Sequence, residues 1–195
     1  MAFKKPNDYD SVRVGDYRIL PAGGYVCRIM KAEETKSGTG KEMLKVAFDI
    51  CDGEYTGYFM DQFNGRKAAA ENPKEVKWPF SGTKWILIYN NEGKTNRNFK
   101  SFCTALIDSG TEVWNGDDTF DAKNLKDAQI GIIFRREEHE YQNVTSWRTV
   151  PFGFRSVKTI ESGAFNVPED KPIVKAADFA AALDTFSAAE DDIPF

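Results

Sequence analysis

Rings and cations alternate in two stretches of this sequence, a combination that stacks on flat groups while neutralising anions. The first, "KWPFSGTKWILIYNNEGKTNRNFK", sets Trp78, Phe80, Trp85 and Tyr89 among Lys77, Lys84, Lys94, Arg97 and Lys100. The second carries Arg135, Arg136, Tyr141, Trp147, Arg148, Phe152, Phe154, Arg155 and Lys158. Single-stranded nucleic acid is the natural substrate of such chemistry. Rings stack on bases whatever their sequence, at roughly 1–3 kcal/mol per base, and cations follow the phosphates. An aromatic residue in a strand is more often core than platform, so each ring must be given a side. Phe152 and Phe154 alternate in step with Val150 and are assigned to the core, which puts Trp147 and Arg155 on the opposite face. The candidate contacts are Trp78, Trp85, Lys94 and Arg97 in the first stretch. In the second they are Arg135, Arg136, Tyr141, Trp147, Arg148 and Arg155.

Other chemistries find little support. His139 is the only histidine and sits among Glu137, Glu138 and Glu140, so it reads as a solvated loop residue rather than a general base. Cys27, Cys51 and Cys103 lack the spacing of a zinc site and, being odd in number, do not suggest a disulfide framework. "TKSGTGKE" has glycines and lysines without the spacing of a phosphate-cradling loop. Asp49, Asp52 and Glu54 are strand-end acids on which nothing converges. The expectation is a binding protein that is not an enzyme and uses neither metal nor cofactor.

These residues need a scaffold, and the hydrophobic alternation describes one that is mainly β. Residues 1–19 read as a polar leader and Tyr25–Lys31 as a strand. Leu44, Val46, Phe48 and Ile50 alternate with polar neighbours as a half-buried strand. Tyr58–Phe63 reads as a third, short strand. Residues 64–82 look like an insertion, with a helical turn near Ala68–Ala70, and "KWILIYN" is assigned to that insertion as a surplus element. Asn96 caps a helix from Arg97 to about Ser109 that Gly110 closes, with Phe99, Phe102, Cys103, Leu106 and Ile107 on one face. Gln129–Arg136 and Thr145–Ile160 form a hairpin across "EEHEYQN", with Pro151 marking an edge or a bulge. Three strands, an insertion, a helix and a hairpin is the layout of an OB-fold, a partly open five-stranded barrel. Lys36 and Lys41 then flank the first hairpin loop, a position from which OB-folds grip their strand.

Charge divides the chain. Residues 161–195 hold eight acids against Lys171 and Lys175, a net of −6. Subtracting these from the chain's 26 basic and 30 acidic residues leaves 24 and 22 in residues 1–160, a net of +2. A mildly basic body with an acidic tail hints at nucleic-acid contact on the body. We therefore read 1–160 as the OB-fold domain and 161–195 as a disordered acidic tail, with a short amphipathic segment at Ala176–Phe186. No apolar run reaches membrane-spanning length and the start lacks a signal peptide's apolar segment, so the expected location is the cytoplasm.

The last residues, "EDDIPF", resemble the acidic C-terminal tip of bacterial single-stranded-DNA-binding proteins. The body resembles phage and mobile-element single-strand binders. The similarity lies in "LPAGGYVCRIMKAEETKSGTGKEMLKVAFDICDGEYTGYF", "NFKSFCTALIDSG", "LKDAQIGIIFRREEHEY" and "FRSVKTIESGAFNVPEDK". The resemblance implies an OB-fold that coats single-stranded DNA in replication or recombination in a bacterial host. It also implies that Asp191, Asp192, Ile193, Pro194 and Phe195 dock partner proteins of those processes. The short, Ala-rich linker departs from tetrameric relatives, so the oligomeric state stays open, a homo-oligomer included. The alternative is an OB-fold adaptor that binds proteins and no DNA.

Overall fold

The computed structural model describes residues 4–5 and 18–173. The alternation at 44–50 is realised as β2 (Glu42–Ile50), whose Leu44, Val46, Phe48 and Ile50 are no more than 1% exposed. β2 pairs antiparallel with β1 (Gly23–Lys36) and with β3 (Thr83–Leu87). On its other side β1 pairs with β4 (Gln129–Tyr141), which forms a hairpin with β5 (Val144–Arg155). The result is one antiparallel sheet in the order β3-β2-β1-β4-β5. β1 serves both halves because its register shifts between Ile29 and Lys31, a bulge that bends the strand.

The bend brings the two edges of the sheet together. Lys84 on β3 reaches β5, where Nζ donates to the Pro151 carbonyl at 2.7 Å. Helix α2 (Arg97–Asp108) runs between β3 and β4 and buries Phe99, Phe102, Cys103 and Leu106 in the core, whereas Ile107 remains 47% exposed. Its cap is the expected one, with Asn96 Oδ1 accepting from the Asn98 amide at 2.9 Å. Gly110 follows at φ 89, the left-handed geometry that suits glycine at a helix end.

Several expectations need correction. Tyr58–Phe63 is not a strand but the start of helix α1 (Tyr58–Ala69). Its capping group comes from the end of β2: the buried Asp49 carboxylate accepts from Phe59 N at 2.9 Å and Met60 N at 3.2 Å. A cap ten positions upstream leaves no local signature. The barrel strand assigned to Tyr58–Phe63 is instead β3, drawn from "KWILIYN", so the insertion begins at α1. Gly82 seats it, because a Cβ there would stand 2.7 Å from Trp78 Nε1 and 2.8 Å from Phe59 Cγ.

The hairpin is longer and tighter than the sequence suggests. Only Gln142 and Asn143 turn the chain, at φ 50 and 62, as a two-residue hairpin turn requires. Pro151 does mark a bulge: Ile133 pairs with Gly153 but Phe134 with Pro151, which leaves Phe152 as the extra residue. The bulge resets the alternation. Val150 and Phe154 are buried, while Phe152 is 45% exposed and not core.

Beyond β5 the chain does not leave at once. α3 (Val157–Glu161) sets Ile160 over Gly131, and Phe165 lies over Gly24. Lys171 then joins the edge of β4 that β1 does not reach: Glu138 N donates to Lys171 O at 2.8 Å and Lys171 N to Arg136 O at 2.9 Å. The segment Ala176–Phe186 lies outside the described residues.

Two variants test this packing. Gly131→Ala would place a Cβ 2.4 Å from Ile160 Cγ1 and 2.8 Å from the Ser156 carbonyl. It should lower the melting temperature and detach α3, whereas an unchanged melt would show that α3 is only loosely held. Asp49→Ala strands donors that its carboxylate satisfies and should cost at least about 1–3 kcal/mol in denaturant unfolding. Burial pushes the Asp49 carboxyl above its ordinary range, against three backbone hydrogen bonds that pull it down. A raised folded-state value stabilises the fold at low pH, and that contribution fades as pH rises through it. Asp49→Ala should lose this part of the pH dependence.

Candidate nucleic-acid interface

Where the two sheet edges meet, side chains from β3, β4, β5 and the turn before β3 form a continuous ridge. Trp85 pairs across the ladder with Lys45 and points outward, 40% exposed. Its ring leans on Phe80, centroid to centroid 5.4 Å, and Phe80 is itself 53% exposed. Phe80 occupies the single 3₁₀ turn at Phe80–Gly82 that delivers the chain into β3. The Arg148 guanidinium lies 4.7 Å from the Phe80 ring centroid, which carries the ridge across the seam onto β5. Arg148 faces Glu137 on β4, whose Oε1 accepts from Arg135 Nε at 2.9 Å and Nη2 at 2.6 Å. Arg135 in turn lies 4.5 Å over Phe152, the ring that the bulge turned outward.

The ridge therefore reads Trp85, Phe80, Arg148, Glu137, Arg135, Phe152. Burial pushes the Glu137 carboxyl up, but Arg135, with Lys171 and Arg148 nearby, outweighs it and holds the group below its usual range. Glu137 is thus a fixed anion that spaces two guanidinium groups. Lys84 lies half-buried beneath, where desolvation lowers its amine against the upward pull of Glu137. Arg148 Nε is buried with no hydrogen-bond partner among the described residues. Exposed rings and half-buried guanidinium groups in one file can stack flat groups and hold anions at once.

The other predicted residues fall into three places. On the β4–β5 arm, Arg136 stacks over Trp147 at 5.0 Å and pairs with Asp170 at 3.3 Å, with Tyr141 exposed near the tip. At the far end of the barrel, Lys36 closes β1, and Lys41 Nζ donates to Asn91 Oδ1 at 2.6 Å, tying the first loop to the turn after β3. Lys94 in that turn pairs with Glu92 at 3.0 Å, and Arg97 opens α2. Two residues are placed apart from the ridge. Trp78 donates Nε1–H to the Gly82 carbonyl at 3.0 Å and packs 5.4 Å from Phe63, a role in seating the insertion. Arg155 turns back to the Phe154 carbonyl at 2.7 Å. Asp191, Asp192, Ile193, Pro194 and Phe195 lie outside the described residues.

Sequence reasoning omitted Phe80, Phe152, Lys45 and Glu137 from the candidates. Phe80 carried a signal, a ring in the turn-forming "WPFSG" where burial is hard to arrange. Phe152 carried one too, since a bulge at Pro151 implies a change of side.

Residues 7–156 match a family described as "Protein of unknown function (DUF669)". The matched span takes in all five strands and stops at Ser156, the cap of α3. No curated protein matches the chain.

The two tryptophans of the first stretch should differ in solution. Replacing Trp85 by Phe should remove more of the acrylamide-quenchable emission than replacing Trp78 by Phe. The reverse order would show that the ridge ring is covered and the insertion ring open.

Proposed function

The chain belongs to the DUF669 family, and we propose that it binds single-stranded DNA without sequence preference. It would cover exposed strands during phage DNA replication or recombination, in the cytoplasm of a bacterial host. The observation that carries this reading is the ring and guanidinium ridge across the barrel seam. Bases swung out of a single strand present their faces to Trp85, Phe80 and Phe152, and the phosphates between them meet Arg148, Arg135 and Lys45. A duplex hides those faces within its own stack, so the ridge can meet only its backbone. Ring stacking does not distinguish bases, which makes the binding indifferent to sequence.

The resemblance of "EDDIPF" to the tips of bacterial single-strand binders supports a second element of the proposal. Through Asp191–Phe195 the bound protein would recruit replication or recombination proteins. The acids repel phosphate, so the tip serves partners rather than the strand. A short terminal motif of this kind suits capture in a pocket with a basic rim.

Fluorescence titration of the full chain with oligo-dT and with duplex tests the reading. Affinity for oligo-dT should exceed that for duplex and fall steeply with salt as phosphate contacts release counterions. Trp85→Ala should lose roughly 1–3 kcal/mol of binding with little change in melting temperature, whereas Trp78→Ala should destabilise the fold. Equal affinity for duplex, or binding indifferent to salt, would overturn the proposal, and no binding of either oligonucleotide would favour a protein adaptor.

A further inference from the structure

A second ring cluster lies at the end of the barrel away from the β4–β5 tip. Between the sheet, α2 and the 114–120 loop is an open hollow of about 400 Å³ whose lining includes Tyr89, Phe99, Trp114 and Phe120, together with one cation, Lys100, and one acid, Glu34. That volume falls within the range of small-ligand sites. Phe99, Trp114 and Phe120 pack edge to face, with centroids 5.7 to 6.5 Å apart. Tyr89 and Trp114 are 48% and 44% exposed.

The two exposed rings are held by tight turns. Tyr89 bridges to Thr95, and within that turn Asn90 Oδ1 accepts from the amides of Glu92 and Lys94, both at 2.9 Å. Trp114 bridges to Phe120, and there Asn115 N donates to Thr119 O at 2.9 Å while Asn115 Nδ2 donates to Thr119 Oγ1 at 3.0 Å. Core packing asks only that a ring be buried, and these two are instead braced in the open. Lys100 and Arg97, one helical turn apart on α2, are exposed and have no ion pair among the described residues.

Tyr89 stands four residues beyond Trp85, past the end of β3 at Leu87 and the bend at Ile88. The chain itself thus links the two ring clusters, through residues 86–88. We propose that the hollow is a second base-binding subsite, which takes one unstacked nucleobase of the bound strand against Tyr89 and Trp114 and its neighbouring phosphate on Lys100 and Arg97. The inference rests on the single-strand reading and extends it with a location and an occupant.

Titrations of the full chain with oligo-dT of about 4 and about 16 nucleotides, lengths that bracket OB-fold site sizes, test it. Tyr89→Ala and Lys100→Glu should each weaken binding of the longer strand about tenfold and that of the shorter strand much less, with melting temperatures unchanged. Trp114→Phe should lower the saturating fluorescence quench by the longer strand. Trp85→Ala, on the ridge, should weaken both lengths. If Tyr89→Ala and Lys100→Glu bind the longer strand as the wild type does, the subsite falls and the ridge reading stands. Equal losses at both lengths would make Tyr89 part of the ridge and also overturn the subsite. A wild-type chain that binds neither length removes the single-strand reading and the subsite together.

Discussion

One amine bridges the open seam of this barrel, and the candidate interface depends on what it joins. Lys84 starts from a core-side position on β3 and ends on a carbonyl of β5, so two strands that share no ladder are held side by side. Without that approach Phe80 and Trp85 would belong to one edge of an open sheet, and Arg148, Arg135 and Phe152 to the other. Pro151 makes the contact feasible. Lacking an N–H, it cannot join a further strand, and the bulge beside it aims its carbonyl and Phe152 away from the regular ladder.

The ridge holds its charges in a balanced, spaced form. Arg135 and Arg148 would repel each other across neighbouring strands if Glu137 did not stand between them. The carboxylate also directs the Arg135 guanidinium over Phe152, so the stacking surface is organised before any ligand arrives. The same arrangement recurs on the arm, where Asp170 anchors the guanidinium that covers Trp147. Each anion reduces the local positive potential while fixing a cation in place. The outcome favours orientation over brute attraction, which fits a body whose net charge is only +2.

Much of the scaffold was legible in the sequence because its signals were local. The alternation of Leu44, Val46, Phe48 and Ile50, the Asn96 cap and the helical spacing of Phe99, Phe102, Cys103 and Leu106 lie within one strand or helix. What escaped depended on distant partners. Asp49, beyond the reach of a local cap pattern, supports the first turn of the helix at Tyr58–Ala69 from the end of β2, and with that segment helical "KWILIYN" supplies the barrel strand. Of the site, the residue types were legible and the grouping was not. Trp78 and Trp85 stand in the same basic, aromatic context, and only Gly82 and Phe63 explain why one seats the insertion and the other faces out. Phe152 shows how one bulged residue reverses an argument built on alternation.

The short parallel attachment of Lys171 to β4 also sets a neighbouring side chain. Lys171 is held by hydrogen bonds with Arg136 and Glu138, and the Ile173 amide donates to the Glu138 carboxylate. Asp170 directly precedes Lys171, so the bonds that fasten this segment to the strand also hold the carboxylate in reach of Arg136. A backbone pairing of one residue thereby fixes the guanidinium that lies over Trp147.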